Sequence, residues 1–438
     1  MTATTSEQRD RPGLILIGML LAVILGVALR WFPGDFSSAI VATAGAIGRV
    51  FMRLLQMIIV PLVFGTVCTG IIALDPANLG RIGGRAVVYF LGTTTFAAAI
   101  GLALVLVVRP GVGVEPAGCI SSDDCATSFA CIDQRCIPTV EPPAAGDILM
   151  DMIPRNPVGS LAATFDLPGV IFFAILLAIA IVQIGEPARP LREALSALTI
   201  VMERITGWIM LIAPVGIAAL ILKVVHDTGL DALMSVGWYA FVVVAGLLIH
   251  GVVVLPLLIL TLGRRNPWEI VRAVYPALLT AFSTASSSAT LPLTLDRTER
   301  YADVPTNLTR FVIPLGATVN MNGTALYEAV AALFIAQVYG VTLTFTQQLL
   351  VLLTSVVAAV GAAGIPSAGL VTLIMVLGAV GLPLEGMALL LTVDRLLDMC
   401  RTTINVWGDV CGAVVLAGGQ RASQAPDSTG SVAHAPEE

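Results

Sequence analysis

The sequence predicts an all-α polytopic membrane protein, and three observations carry that fold class. Hydrophobic residues make up 57% of the 438-residue chain and charged ones only 12%, with a mean hydropathy of +0.93. That is too apolar for an ordinary water-soluble globule. The apolar runs reach or exceed the roughly 20 residues a helix needs to cross a bilayer, and their Ala, Gly and Leu content does not show the roughly ten-residue alternation of an outer-membrane barrel. Finally, the arginines gather in every second loop.

Residues 1–12 are polar and precede a run too long, and too poor in cleavage-site residues, for a cleavable signal. Runs 13–31, 38–74, 86–108, 157–185, 195–225 and 236–262 read as helices. Loops "GRIGGR", "EPARPLREA" and "GRRNP" follow the second, fourth and sixth of them, and the positive-inside rule makes these loops cytoplasmic. The N-terminus is then cytoplasmic as well, and segment 109–147 faces outward. The net charge of -6 comes from few charged residues and offers no basic face to a nucleic acid.

The outer segment holds "CISSDDCATSFACIDQRC", with Cys119, Cys125, Cys131 and Cys136. A short stretch with no core of its own in an oxidising compartment is commonly stapled by disulfides, so two bridges are expected; a bound metal is the alternative, although the spacing lacks paired C-x-x-C knuckles. Cys68, Cys400 and Cys411 fall in membrane runs and read as small hydrophobes. The tail 419–438 is polar and rich in Pro and Ser, which reads as a disordered cytoplasmic end.

From 266 to 418 the pattern changes. "LLTAFSTASSSATLPLTL" (278–295) and "VVAAVGAAGIPSAGLVTLI" (356–374) are apolar segments broken by small residues around a proline. Unpaired backbone groups in hydrocarbon cost several kcal/mol each, so broken segments survive only where they line a site inside protein. Two of them in comparable positions read as re-entrant hairpins, the alternative being a pair of proline-kinked core helices. A third break, "PLGATVNMNGTALYE" (314–328), offers Gly, Thr and Asn oxygens of the kind that hold hard monovalent cations.

The last apolar run contains "DRLLDMCRTTINVWGD" (394–409). On an ideal helix Asp394, Asp398, Arg401, Thr402, Asn405 and Asp409 share an arc of about 100°. A charge at the bilayer centre costs from about 2.5 to more than 10 kcal/mol, so the stripe must face a partner, a cavity or an ion. An internal salt-bridge network would satisfy Arg401, but three Asp against one Arg leave an excess of negative charge that asks for a cation. Arg395, at the stripe's edge, is expected to snorkel to the interface and takes no site role.

"SSSATLP", "NMNGTALYEA", "AAGIPSAG" and "DRLLDMCRTTINVWGD", in that order and spacing, resemble the signature segments of the dicarboxylate/amino acid:cation symporter family, which includes the glutamate transporters and their archaeal aspartate-transporting homologues. The resemblance runs from about residue 13 to 418. It implies eight transmembrane helices plus two re-entrant hairpins, in a homotrimer where a transport domain slides like an elevator past a scaffold. The expected partition is scaffold helices 1–2 in 13–85, transport helix 3 in 86–108, scaffold helices 4–5 and transport helix 6 in 148–262, and the transport core in 266–418. The four-cysteine insert has no counterpart in that pattern.

By the same resemblance Arg401 holds the substrate's side-chain carboxylate with help from Thr324, Asp398 receives its α-ammonium, and Thr402, Asn405, Ser288, Ile365 and Gly369 complete and gate the site. One Na⁺ falls to Gly316, Asn320, Asn405 and Asp409, and a second to Thr318, Ala359, Val360 and Ala362. A third would use Thr93, Thr94 and the position of Asn322, where the family usually has Asp; a tyrosine that often contributes there is replaced by Phe90. Glu328 matches a family glutamate that carries a co-transported proton, and a neutral, hydrogen-bonded structural Glu is the alternative. Neither arginine that compensates Asp398 in relatives is present, since Ala285 and Met399 occupy those positions.

The function that follows is Na⁺-coupled symport of L-glutamate or L-aspartate, with H⁺ as a further coupling ion, in a bacterial-type inner membrane in contact with lipid. A proton-coupled glutamate or C4-dicarboxylate symporter is the runner-up. An anion channel would need a repeated pore-lining element. A hydrolase built on Ser286 to Ser288 would need a base, and His226, His250 and His434 are distant in sequence, so no enzyme is expected.

Overall fold

A computed structural model describes residues 11–423 except 33, 73–75, 114–128, 133–134, 139–152, 155, 163–166, 229–230, 363 and 365–366. Helix α1 covers Arg11–Trp31, α2 Asp35–Ile72 and α3 Pro76–Val108. Beyond the cysteine insert come α4 (Pro157–Ala162), α5 (Leu167–Ile184), α6 (Arg189–Thr228) and α7 (Asp231–Leu248). The last of these continues to Gly263 through two π turns, Ile249–Val254 and Ile259–Gly263. Gly83–Val108 and Met234–Gly263 are long and apolar enough to cross a membrane, and Glu186–Ile209 with Pro214–Lys223 is a third such run bent by 57°. Pro214 lies at the bend, where its ring removes a backbone donor and crowds the preceding turn.

The second half is built of shorter pieces: α8 (Pro267–Thr284), α9 (Ser287–Arg300), α10 (Thr306–Val319), α11 (Asn322–Val338), α12 (Phe345–Val360) and α13 (Ala368–Ala379), then the long α14 (Met387–Ser423). Local sequence explains where they begin. Asn266 caps α8 by accepting the Trp268 N–H, and Thr344 and Gln347 close a capping box on α12. The three breaks read from the sequence fall between α8 and α9, α10 and α11, and α12 and α13. Each pair of hairpin arms packs side by side.

α1, α2, α5 and α6 pack chiefly on one another, and α14 is surrounded by α7, α8, α10 and α11. Apolar helices in lipid gain little from burial against each other, so close packing through small residues carries the association. A Cβ on Gly48 would stand 2.5 Å from Leu220, and one on Gly101 would stand 2.8 Å from the Leu326 carbonyl. Substitution at either position would force α2 from α6, or α3 from α11.

The all-α expectation needs one correction. β1 (Phe129–Ile132) and β2 (Arg135–Pro138) form a two-stranded antiparallel sheet inside the cysteine insert. Phe, Ile and Cys favour extended backbone, and a short segment between membrane helices satisfies its backbone groups by pairing with itself. Cys131 and Cys136 are register partners across the two strands. The expected disulfides otherwise lie outside the described residues. Cys68, Cys400 and Cys411 are free thiols.

Candidate functional site

The polar stripe of α14 is buried along its whole length: Asp394, Asp398, Arg401, Thr402, Asn405 and Asp409 all lie in the interior. Arg401, with 1% of its surface exposed, places Nη2 2.8 Å from Asp398 Oδ1 and 3.2 Å from Asp394 Oδ1. Its guanidinium carbon stands 3.8 Å above the Tyr327 ring, a cation–π contact worth about 2 kcal/mol in a dry site. Nε and Nη1 have no hydrogen-bond partner among the described residues. The salt-bridge network weighed from the sequence therefore exists, yet it uses only one of the three guanidinium nitrogens. Nε and Nη1 lie on opposite sides of the occupied Nη2, so each is open to donate singly to an anion such as a carboxylate.

The hairpins close on this helix through their tips. Ala285 (φ 50°) and Ser367 (φ 63°) hold left-handed backbone, which costs an L residue roughly 1–2 kcal/mol and marks a constrained turn. Ser286 caps α9 by accepting the Ala289 N–H, and its hydroxyl donates to the Gly364 carbonyl at 2.7 Å. That carbonyl also takes the Ser288 N–H at 3.1 Å. The Ser367 N–H reaches across to Asp398 Oδ2 at 2.8 Å. Gly369 faces the guanidinium so closely that a Cβ would stand 2.7 Å from Nη1. Ile365 lies outside the described residues.

Between α10 and α11 the chain leaves the helix at Asn320 and Met321. The exposed N-terminus of α11 is capped from α14: Asn405 Oδ1 accepts the Gly323 N–H at 2.8 Å, and its Nδ2 donates to Thr324 Oγ at 3.2 Å. Asn320 Nδ2 donates to Asp409 Oδ1 at 2.8 Å, while Asn320 Oδ1 has no partner. A Cβ on Gly316 would collide with that same carboxylate. Asp409 has no cationic partner among the described residues. The structure thus brings Gly316, Asn320 and Asp409 together, with Asn405 bridging to Thr324. Thr318, Ala359, Val360 and Ala362 sit at the ends of α10 and α12, which touch each other. Most of these are backbone carbonyls, and the Ala359 carbonyl already accepts the Ala362 N–H.

Near Asn322 the arrangement is less suited to a cation. Thr94 donates to Asn322 Oδ1 at 2.7 Å, which uses one of the two lone pairs of an uncharged oxygen, and the remaining Nδ2 is a buried donor without a partner. Thr93 spends its hydroxyl on carbonyls of its own helix. Phe90 is fully buried beside them. Glu328, also fully buried, accepts a hydrogen bond from Thr372 of α13 through Oε1, while Oε2 has none.

Two sequence readings change. Arg395 does not stand apart from the site, because its Nη1 lies 3.7 Å from Asp398 Oδ2 with the side chain 16% exposed. Asp398 is therefore compensated after all, by an arginine one turn earlier on its own helix. Sequence reasoning also missed Tyr327, Ser367 and Thr372. For Tyr327 a signal existed, since it lies one helical turn from Thr324 on a polar-bearing helix; for Ser367, which acts through its backbone N–H, there was none.

Relatives align with most of this chain. Excitatory amino acid transporter 1 of Ambystoma tigrinum is 36% identical over 93% of this chain and 83% of its own length. Excitatory amino acid transporter 3 of Mus musculus is 36% identical over 91% and 83%, and excitatory amino acid transporter 2 of Homo sapiens 35% over 92% and 78%. Residues 13–418, a span that runs from the first apolar helix through the buried stripe of α14, match the sodium:dicarboxylate symporter family, so the chain belongs to that family of membrane transporters and is not an enzyme.

Proposed function

We propose that the protein is a Na⁺-coupled symporter of acidic amino acids, with L-glutamate or L-aspartate bound between α14, the α10–α11 break and the two hairpin tips. The observation that carries it is Arg401: a fully buried guanidinium with two open nitrogens, neutralised through its third, Nη2, by Asp394 and Asp398. The open donors, Nη1 and Nε, take the substrate's side-chain carboxylate beside Thr324. Asp398 receives the α-ammonium, and Thr402, Asn405, Ser288, Ile365 and Gly369 enclose the rest. Excitatory amino acid transporters as relatives favour the same substrate class.

In this reading Asp409, which lacks a protein cation, holds one Na⁺ with Gly316, Asn320 and Asn405, and the carbonyls of Thr318, Ala359, Val360 and Ala362 hold a second. Helices α3, α7 and α8 to α14 move as a transport unit against the remaining helices, in a homotrimer within the cell's inner membrane. Both termini are cytoplasmic. Uptake of labelled glutamate, aspartate, succinate and alanine into proteoliposomes, with Na⁺ and H⁺ gradients imposed separately, tests it. Accumulation of the two acidic amino acids under a Na⁺ gradient is expected, and no movement under either gradient would refute it.

Glu328 is the proposed proton carrier. Its carboxyl group is sealed inside the bundle, and Thr372 gives it a partner on the hairpin that must move. Glu328→Gln mimics the protonated acid, and its uptake is expected to become insensitive to external pH between about 6 and 8. Persisting pH dependence in that variant would move the proton site elsewhere.

A further inference from the structure

Asp398 is surrounded before any substrate arrives. Its Oδ1 is taken by Arg401 Nη2 at 2.8 Å, and its Oδ2 by the Ser367 N–H at 2.8 Å. Arg395 lies on that second oxygen as well, at 3.7 Å. This distance is an ion pair without a hydrogen bond, so Arg395 acts on Oδ2 by its field. Its Nε is buried and has no hydrogen-bond partner, so the guanidinium is not held away by a competing acceptor at that atom.

We propose that Arg395 is a specificity-determining residue that competes with the substrate's α-ammonium for Asp398 Oδ2. This rests on the assignment of Asp398 to the ammonium made above. Two cations cannot share one carboxylate oxygen without repelling each other, so an incoming amino acid must displace Arg395 from Oδ2 or tolerate it nearby. A dicarboxylate of the same length carries no ammonium. It meets Arg395 only as a further positive charge and is attracted by it. Arg395 therefore acts with opposite sign on the two substrate classes: it loosens amino acids and favours dicarboxylates. Asp398 remains the determinant of the ammonium, and Arg395 sets how strongly it counts.

Equilibrium binding of aspartate and succinate to the purified full-length protein in sodium buffer separates these effects. In Arg395→Gln the succinate-to-aspartate ratio of Kd is expected to rise about tenfold, with aspartate tightening and succinate weakening. Arg395→Lys keeps the charge and is expected to hold the wild-type ratio. An unchanged ratio in the Gln variant, equal weakening of both ligands, or the same shift in the Lys variant would each overturn the role given to Arg395. Wild-type protein that binds neither ligand would overturn the substrate reading together with it, whereas normal aspartate binding with an unmoved ratio removes this inference alone.

Discussion

Arg401→Cys is expected to lower affinity for aspartate and glutamate by about a thousandfold while retaining weak binding of small neutral amino acids. Truncating one member of a buried, hydrogen-bonded charge pair costs from about 2 to more than 5 kcal/mol, and tenfold in affinity is about 1.4 kcal/mol. No other guanidinium or ammonium is as deeply buried among the described residues. The substrate's distal carboxylate is then left with the neutral hydroxyl of Thr324 and no charged anchor. The variant also loses the contact with Tyr327 and leaves Asp394 without its ion-pair partner. Thermal stability should fall accordingly. Asp398 keeps its hydrogen bond from Ser367 and its neighbour Arg395, so the ammonium site persists. Calorimetric titration of the purified variant decides the matter, and undiminished aspartate affinity would remove Arg401 from the site.

The second large effect concerns coupling: transport is expected to carry two sodium ions per substrate. Apart from Glu328, proposed above as the proton carrier, the buried acids among the described residues are Asp394, Asp398 and Asp409, faced by Arg401 and, at the edge, Arg395. That set carries one net negative charge and the acidic substrate brings another, so two monovalent cations neutralise the loaded core. A third would have to settle at Asn322, whose acceptor oxygen is already engaged by Thr94. Replacing a carboxylate by an amide at a contact of about 4 Å forfeits roughly 4 kcal/mol of attraction even at an effective dielectric near 20. Reversal potentials of substrate flux in proteoliposomes, measured against the sodium gradient, give the coefficient directly. A value of three would refute the prediction. Asn322→Asp restores the missing charge, and its sodium dependence of binding is expected to become steeper.

Much of this site was legible in the sequence because polarity in an apolar background is costly and therefore conspicuous. The stripe of α14 was read from that contrast, the two hairpin breaks from small residues around a proline and the third break from its Gly, Thr and Asn, and the structure places them in contact. What escaped were relations between elements. Arg395 looked peripheral because its position on the helical wheel lies at the stripe's edge, yet a spacing of three residues sets it beside Asp398, and the long side chain turns inward. Thr372 is one threonine in an apolar hairpin, and only the packing of α13 against α11 makes it the partner of Glu328. Ser367 contributes a backbone N–H, which any residue but proline would offer. The small β-sheet was missed for a different reason: four-residue strands are too short to show a period.

Among the described residues the hairpin tips meet through one acceptor, the Gly364 carbonyl, which takes both the Ser286 hydroxyl and the Ser288 N–H. A latch built in this way keeps no memory of which side let go. Whichever tip withdraws, the same two hydrogen bonds are lost and the same oxygen is bared, so this contact favours neither inward nor outward release. Rectification has nothing in the latch to rest on. For a carrier of the kind proposed here, net direction then comes from the gradients, and inverting them should run the cycle backward and export substrate through the same contacts.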